Sequence, residues 1–142
     1  MLNTALICLS LTIYFESRNQ PYLGQIAVAE VVLNRVESPK FPNTVCEVVK
    51  QNKQFSFFWD GVSDKPKEKK AWERSLNISK FMLENFYNIN VVGKKATHYH
   101  SNTVNPYWAN RMEKIKTIDK HIFYKSKDKW IRPLPRPANL VD

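Results

Sequence analysis

Ile13-Tyr-Phe-Glu-Ser-Arg-Asn-Gln20 ends the first apolar run of the chain in a single carboxylate, Glu16. Almost every residue before Glu16 is apolar, and a second apolar segment, Ile26 to Val36, follows within ten residues. Leu2 to Phe15 carries apolar residues on every face, which predicts a buried helix. The break falls at Asn19-Gln20-Pro21, because Pro21 disfavours helix at the residue before it, and Gly24 closes the turn. A second helix is expected from about Gln25 to Val36, where Ile26, Ala29, Leu33 and Val36 share one face and Val28, Val31 and Val32 widen it. A carboxylate at the end of a run that must be buried is poorly hydrated. Poor hydration raises its pKa toward the range a general acid needs near neutral pH. The competing reading is a solvated acid at the end of a buried helix, the ordinary fate of an acidic residue.

With 142 residues the chain holds one domain with a real core. Its 43% hydrophobic content is that of a globular protein, and three glycines are too few for a turn-dense β-sandwich. A net charge of +9 points to a polyanionic partner: nucleic acid, an anionic membrane surface or a bacterial cell-wall polymer. Two cysteines form no disulfide framework, and Cys8, inside the first apolar run, reads as a buried free thiol; a Cys8–Cys46 pair, the less favoured reading, would need their two helices to pack together. Met1 to Phe15 has the length of a signal-peptide core. No Lys or Arg precedes it and no small-residue cleavage site follows it, so it reads as a core helix without a secretion signal. It is too short to span a bilayer, and no stable membrane insertion is expected.

Further along, Ser38-Pro-Lys-Phe-Pro42 is a loop, and Thr44-Val-Cys-Glu47 matches a capping box that opens a short helix to about Lys50. Gln54 to Gly61 is rich in aromatic residues and ends in the turn signal Asp60-Gly61. Asp64 as N-cap, with Pro66 in the first turn, predicts a long helix to about Tyr87 with Trp72, Leu76, Ser79, Leu83 and Phe86 on one face. The lysines crowding its first half read as a solvated face. Ala96-Thr-His-Tyr-His100 alternates as a short strand, and Asn105-Pro-Tyr-Trp108 is a turn. Ile115 to Ile118 and His121 to Tyr124, joined by Asp119-Lys120, suggest a small hairpin. The organisation is therefore a domain over residues 1–128 and a basic, proline-rich tail over 129–142, expected to be extended and mobile.

Several chemistries have little sequence support. His98 and His100 would share one face of a strand, but there is no His-Glu-x-x-His and no Cys-x-x-Cys, so no metal is expected. Cys46 near a helix start favours a thiolate, yet nothing else supports a Cys/His nucleophile. No glycine-rich phosphate loop exists, and no cofactor is expected. Sugar binding fits better, since aromatic faces beside polar amides cover the apolar faces of a glycan. Gln54-Phe-Ser56, His98-Tyr-His100 and Asn105-Pro-Tyr-Trp108 supply that mixture, although Phe55, Tyr99 and Trp108 are equally credible as core residues.

Tyr14-Phe-Glu-Ser-Arg18, Gly24-Gln-Ile-Ala-Val-Ala29 and Val32-Leu-Asn-Arg-Val36 resemble the signature of cell-wall hydrolases related to the spore cortex-lytic enzyme. Phe41-Pro-Asn-Thr-Val45, Gln54-Phe-Ser56, Asp60-Gly61, Ala96 to His100, Asn105 to Trp108, Lys116-Thr-Ile118 and His121 to Tyr124 follow in the order of that family. The resemblance spans roughly Leu6 to Tyr124. It implies an α+β, mainly α, lysozyme-like single domain with a small β element. The implied activity is cleavage of the β-1,4 bond between N-acetylmuramic acid and N-acetylglucosamine, with Glu16 as general acid/base. Substrate-binding positions implied alongside it are Gln20, Gln54, Phe55, Ser56, Tyr99, His100, Asn105 and Trp108.

The chain departs from the family at two places. The family often reads Glu-Ala-Arg-Gly-Glu where this chain has Glu16-Ser-Arg-Asn-Gln20, so the second acid is an amide. Some relatives also have a cysteine near the Asp-Gly turn that could pair with the equivalent of Cys46. Phe58 and Trp59 stand there in this chain, which favours Cys46 as a free thiol.

The resulting expectation is a lytic transglycosylase or muramidase of phage-endolysin type. It would be made in the cytoplasm and act at the bacterial wall in the periplasm. It would act as a monomer on peptidoglycan strands, drawn in by anionic wall or outer-membrane polymers. The alternatives are a hydrolytic N-acetylmuramidase, a non-catalytic peptidoglycan-binding domain on the same fold, and a basic nucleic-acid-binding protein. That last alternative leaves the paired apolar helices flanking one Glu unexplained, and no nucleic acid is expected as a partner.

Overall fold

The computed structural model describes residues 4–51 and 66–128. Four α-helices come first: α1 (Thr4–Ser17), α2 (Tyr22–Glu37), α3 (Val45–Gln51) and α4 (Lys69–Asn85). A 3-10 turn over Phe86–Asn88 leads to β1 (Ala96–Ser101). A second 3-10 turn, Tyr107–Arg111, precedes β2 (Glu113–Ile118) and β3 (His121–Lys125). The three strands form one antiparallel sheet in the order β1-β3-β2. The expected strand and the expected hairpin are thus parts of one sheet, with β3 in the middle. Asp119, at φ 49, takes the left-handed conformation that a tight two-residue hairpin turn requires.

Helix α2 is buried on two sides, which explains its wide apolar stripe. On one side Ala29, Leu33 and Val36 meet Leu9 and Ile13 of α1, Val48 and Val49 of α3, and Ile78 and Met82 of α4. On the other, Ala27, Val28 and Val31 meet Val92, Ala96 and Phe123 at the sheet. Buried polar side chains of α2 fix the segment that feeds β1. Glu30 Oε1 accepts the Val91 and Val92 N–H groups at 3.0 and 2.8 Å, and Glu30 Oε2 pairs with Lys94 Nζ at 3.2 Å. Lys94 also donates to the Phe86 and Ile89 carbonyls. Asn34 Nδ2 donates to the Gly93 and Ala96 carbonyls, each at 2.8 Å.

Helix α1 absorbs its own hydroxyls. Ser10, Thr12 and Ser17 donate to the carbonyls of Leu6, Cys8 and Ile13, four residues back, which lets these polar residues sit in a buried helix. The Thr44 cap holds, with its Oγ1 accepting the Glu47 N–H at 3.2 Å.

Three expectations change. Cys8 and Cys46 form a disulfide, with Cα atoms 5.3 Å apart. The free-thiol reading failed because spacing along the sequence says nothing about how α1 packs on α3. Helix α4 begins at Lys69, not near Asp64, and Pro66 stays outside it. The Tyr14 hydroxyl, brought in from α1, accepts the Lys67 and Glu68 N–H groups at 3.0 and 2.9 Å, just before the first turn. The inward face of α4 is Ser75, Ile78, Ser79 and Met82, with Trp72, Leu76 and Leu83 only half-buried. Two small serines on that face let α4 lie close to α1. Asp64, the aromatic stretch Gln54 to Gly61 and the tail over 129–142 lie outside the described residues.

Candidate active site

Glu16 is the penultimate residue of α1, and its side chain faces Tyr99 of β1. Its Oε1 is shut off from solvent, as is the Tyr99 hydroxyl. Neither atom has a partner at strict hydrogen-bond geometry among the described residues, so the two meet in a loose polar contact. Burial pushes the Glu16 carboxyl up to about 6, against a smaller downward pull from Tyr99. Burial, reinforced by the Glu16 charge, holds the Tyr99 phenol protonated well above its ordinary range, while Arg35 opposes both. Tyr99 is therefore a standing O–H donor beside the carboxylate. Among the described residues, no second acid is one of the groups that shift Glu16.

Arg35 of α2 stands behind Tyr99. Its Nε donates to the Thr97 carbonyl at 2.7 Å, and its guanidinium lies 4.9 Å from the centre of the Phe41 ring. Burial lowers its pKa, with Tyr99 acting in the opposite sense. Arg18, two residues past Glu16, lies 4.6 Å over the Tyr14 ring and pairs through Nε with Glu68 at 2.5 Å. That pair ties the end of α1 to the residue before α4.

The alternation of β1 separates the residues expected to bind substrate. Tyr99 turns inward, its ring 5.1 Å from His121 and 5.7 Å from Phe123. His98 and His100 turn to the other face, where Trp108 packs 5.1 and 5.6 Å from their rings. His100 stacks on Tyr124 at 5.2 Å, its Nδ1 at 2.7 Å from the Ser101 carbonyl and its Nε2 at 2.8 Å from the Tyr124 hydroxyl. A carbonyl only accepts, so Nδ1 carries a proton, and Nε2 and the Tyr124 hydroxyl share the second hydrogen bond. Burial, with Arg35 nearby, lowers His98 to about 4 and keeps it neutral. Asn105 is exposed in the loop after β1. Gln54, Phe55 and Ser56 lie outside the described residues.

Gln20 takes a place of its own. Its Oε1 accepts the Lys120 N–H, in the β2–β3 turn, at 3.2 Å. Its backbone carbonyl accepts from Gln25 Nε2 at 3.0 Å. Sequence reasoning missed Arg35, Tyr14, Lys120 and His121. Arg35 carried one signal, a cation inside the apolar stripe of α2, and the others act through packing that no local pattern encodes. Among the described residues no three His, Cys, Asp or Glu side chains converge as a metal site would require. No described helix is long and apolar enough to cross a membrane.

Residues 19–124 match the family described as Cell Wall Hydrolase. That span begins just past Glu16, so the assignment of the acid rests on the burial and contacts described above. The spore cortex-lytic enzyme of Bacillus cereus is 37% identical over 114 residues, covering 80% of this chain and 41% of that protein. The enzyme of the same name from Bacillus subtilis is 31% identical over 122 residues, covering 85% and 37%. The chain thus spans less than half the length of these relatives. Among solved structures, the catalytic domain of the germination-specific lytic transglycosylase SleB from Bacillus anthracis superposes with a TM-score of 0.67 at 35% identity, covering 88% of this chain and 97% of that one. The catalytic domain of the Bacillus cereus SleB protein gives 0.65 at 34% identity, covering 85% and 89%. The helical, lysozyme-like domain with a small sheet expected from the sequence is the one found, and the chain belongs to the cell wall hydrolase family.

Proposed function

We propose that this chain is a peptidoglycan-cleaving lytic transglycosylase that works with one carboxylate, Glu16. The observation that carries the reading is the state of Glu16: desolvated, raised to about 6, and facing a phenol, with no second acid beside it among the described residues. Hydrolytic glycosidases use two carboxylates, one as acid and one as base or nucleophile. A lytic transglycosylase needs one. Glu16 protonates the glycosidic oxygen, and the N-acetyl group of the substrate stabilises the oxocarbenium-like centre. Glu16, now a base, takes the proton of the muramic C6 hydroxyl as that oxygen attacks C1 and closes a 1,6-anhydro ring. The attacking group belongs to the same sugar, so its effective concentration is high and no water is recruited. The Tyr99 hydroxyl faces the carboxylate at the step in which Glu16 is charged.

The names of the related structures support this reaction class, and the net charge of +9 supports attraction to anionic wall or outer-membrane polymers. The Cys8–Cys46 disulfide supports a place of action outside the reducing cytosol. The same charge is the support for an endolysin role, in which the enzyme reaches the wall once the membrane has been opened. Glu16→Gln tests the catalytic reading against a merely glycan-binding domain. The variant should still sediment with purified peptidoglycan but lose turbidity-clearing activity by about 10²- to 10⁴-fold. Clearing at the wild-type rate would sink the mechanism.

A further inference from the structure

Gln20 stands where the family often has a second acid, and its contacts give that position a role other than acid–base chemistry. Gln20 Oε1 holds the Lys120 N–H at 3.2 Å. The carbonyl of the same Lys120 accepts the Asn102 N–H at 2.8 Å, so the hairpin tip is pinned from both sides. The Gln20 main chain is itself fixed, its N–H donating to the Ser17 carbonyl at 2.9 Å and its carbonyl accepting from buried Gln25. Gly24 lets the parts close up. A Cβ on Gly24 would stand 3.2 Å from Gln20 Cβ and 3.6 Å from Ile118 Cγ2, so the start of α2, Gln20 and the end of β2 are in contact there. The next residue after Lys120 is His121, whose ring lies 5.1 Å from Tyr99, and Tyr99 faces Glu16. The contacts therefore close a ring: Glu16, the end of α1, Gln20, Lys120, His121, Tyr99 and Glu16 again.

We propose that Gln20 is a positioning residue, a neutral acceptor that clamps the β2–β3 turn onto the end of α1 and so holds Tyr99 in place against Glu16. An amide cannot serve as base or nucleophile, but it accepts an N–H as a carboxylate does. The geometry asks for an acceptor at this position, which either side chain supplies. The proposal rests on the reading of Glu16 as the acid/base, and its test has one arm that does not.

That arm is hydrogen exchange at the Lys120 amide in the intact protein. The wild-type amide should be protected, and Gln20→Met, which keeps length and removes the acceptor, should speed its exchange by about tenfold or more. An unprotected Lys120 amide in the wild type, or unchanged exchange in Gln20→Met, overturns the clamp. The second arm is kinetics on purified peptidoglycan at each variant's pH optimum. Gln20→Met should lower kcat by about tenfold or more with KM little changed, since misplacing a catalytic group costs rate rather than binding. Gln20→Glu should restore kcat. A raised KM at full kcat would make Gln20 a substrate contact, and failure of Gln20→Glu to restore kcat would show that the acceptor is not what matters; both overturn the proposal. If the wild type does not cleave peptidoglycan, the proposed function falls and the exchange arm alone decides the clamp.

Discussion

Glu16 sits in a conflict that its chemistry requires. A folded-state pKa near 6 lies above the 4.5 of an unperturbed carboxyl, so the native state holds the proton more tightly than the unfolded chain. Ionised Glu16 thus destabilises the fold above about pH 6, and the cost disappears below about 4.5. Glu16→Gln should therefore melt at a higher temperature than the wild type near pH 8 and at the same temperature near pH 4, as scanning calorimetry would read. The first step needs the protonated acid, so kcat/KM should fall as pH rises through about 6. Tyr99 pulls the Glu16 pKa down, so Tyr99→Phe should move that limb to higher pH, and an unmoved limb would separate Tyr99 from the acid. At this scale the poor hydration of the Glu16 carboxyl was legible in the sequence, because an acid ending an apolar run is visible locally. It was not legible for the Tyr99–Glu16 contact or for Arg35, which depend on strand β1 crossing beside α1 and α2.

The elements were mostly legible where periodicity ruled and illegible where distant side chains did. Helices α1 and α2 follow from their apolar runs, and Thr44 caps α3 as its spacing predicts. The start of α4 was misplaced because the hydroxyl of Tyr14, from another helix, satisfies the N–H groups ahead of it. The buried acids of α2 were also missed, since Glu30 looks like any helix-surface residue until Lys94 and the Val91 and Val92 N–H groups are placed around it. Removing one member of a buried pair leaves the other charge uncompensated, which costs about 3–5 kcal/mol. Glu30→Ala should accordingly lower the melting temperature by about 10 °C or more. A variant that melts within a degree or two of the wild type would show that this network is not what anchors the entry to β1.

Across the whole molecule, the disulfide joins α1 to α3 and closes a loop of 38 residues in sequence separation. Chain entropy alone gives such a crosslink about 4 kcal/mol. Reduction, or Cys46→Ser, should lower the denaturant midpoint while leaving activity in the folded population, as paired unfolding and turbidity assays would read. No spacing rule announces this bond, because it depends on which faces of two helices meet. The positive charge announces itself in the composition, and wall binding should weaken steeply with salt. The proposed mechanism stands on one carboxylate acting on a bond whose own sugar supplies the nucleophile. Mass spectrometry of muropeptides released from purified peptidoglycan reads that chemistry from its products. The released chains should end in 1,6-anhydromuramic acid, lighter by one water than hydrolytic ends and free of label in ¹⁸O-water. Reducing muramic ends carrying ¹⁸O would contradict the mechanism.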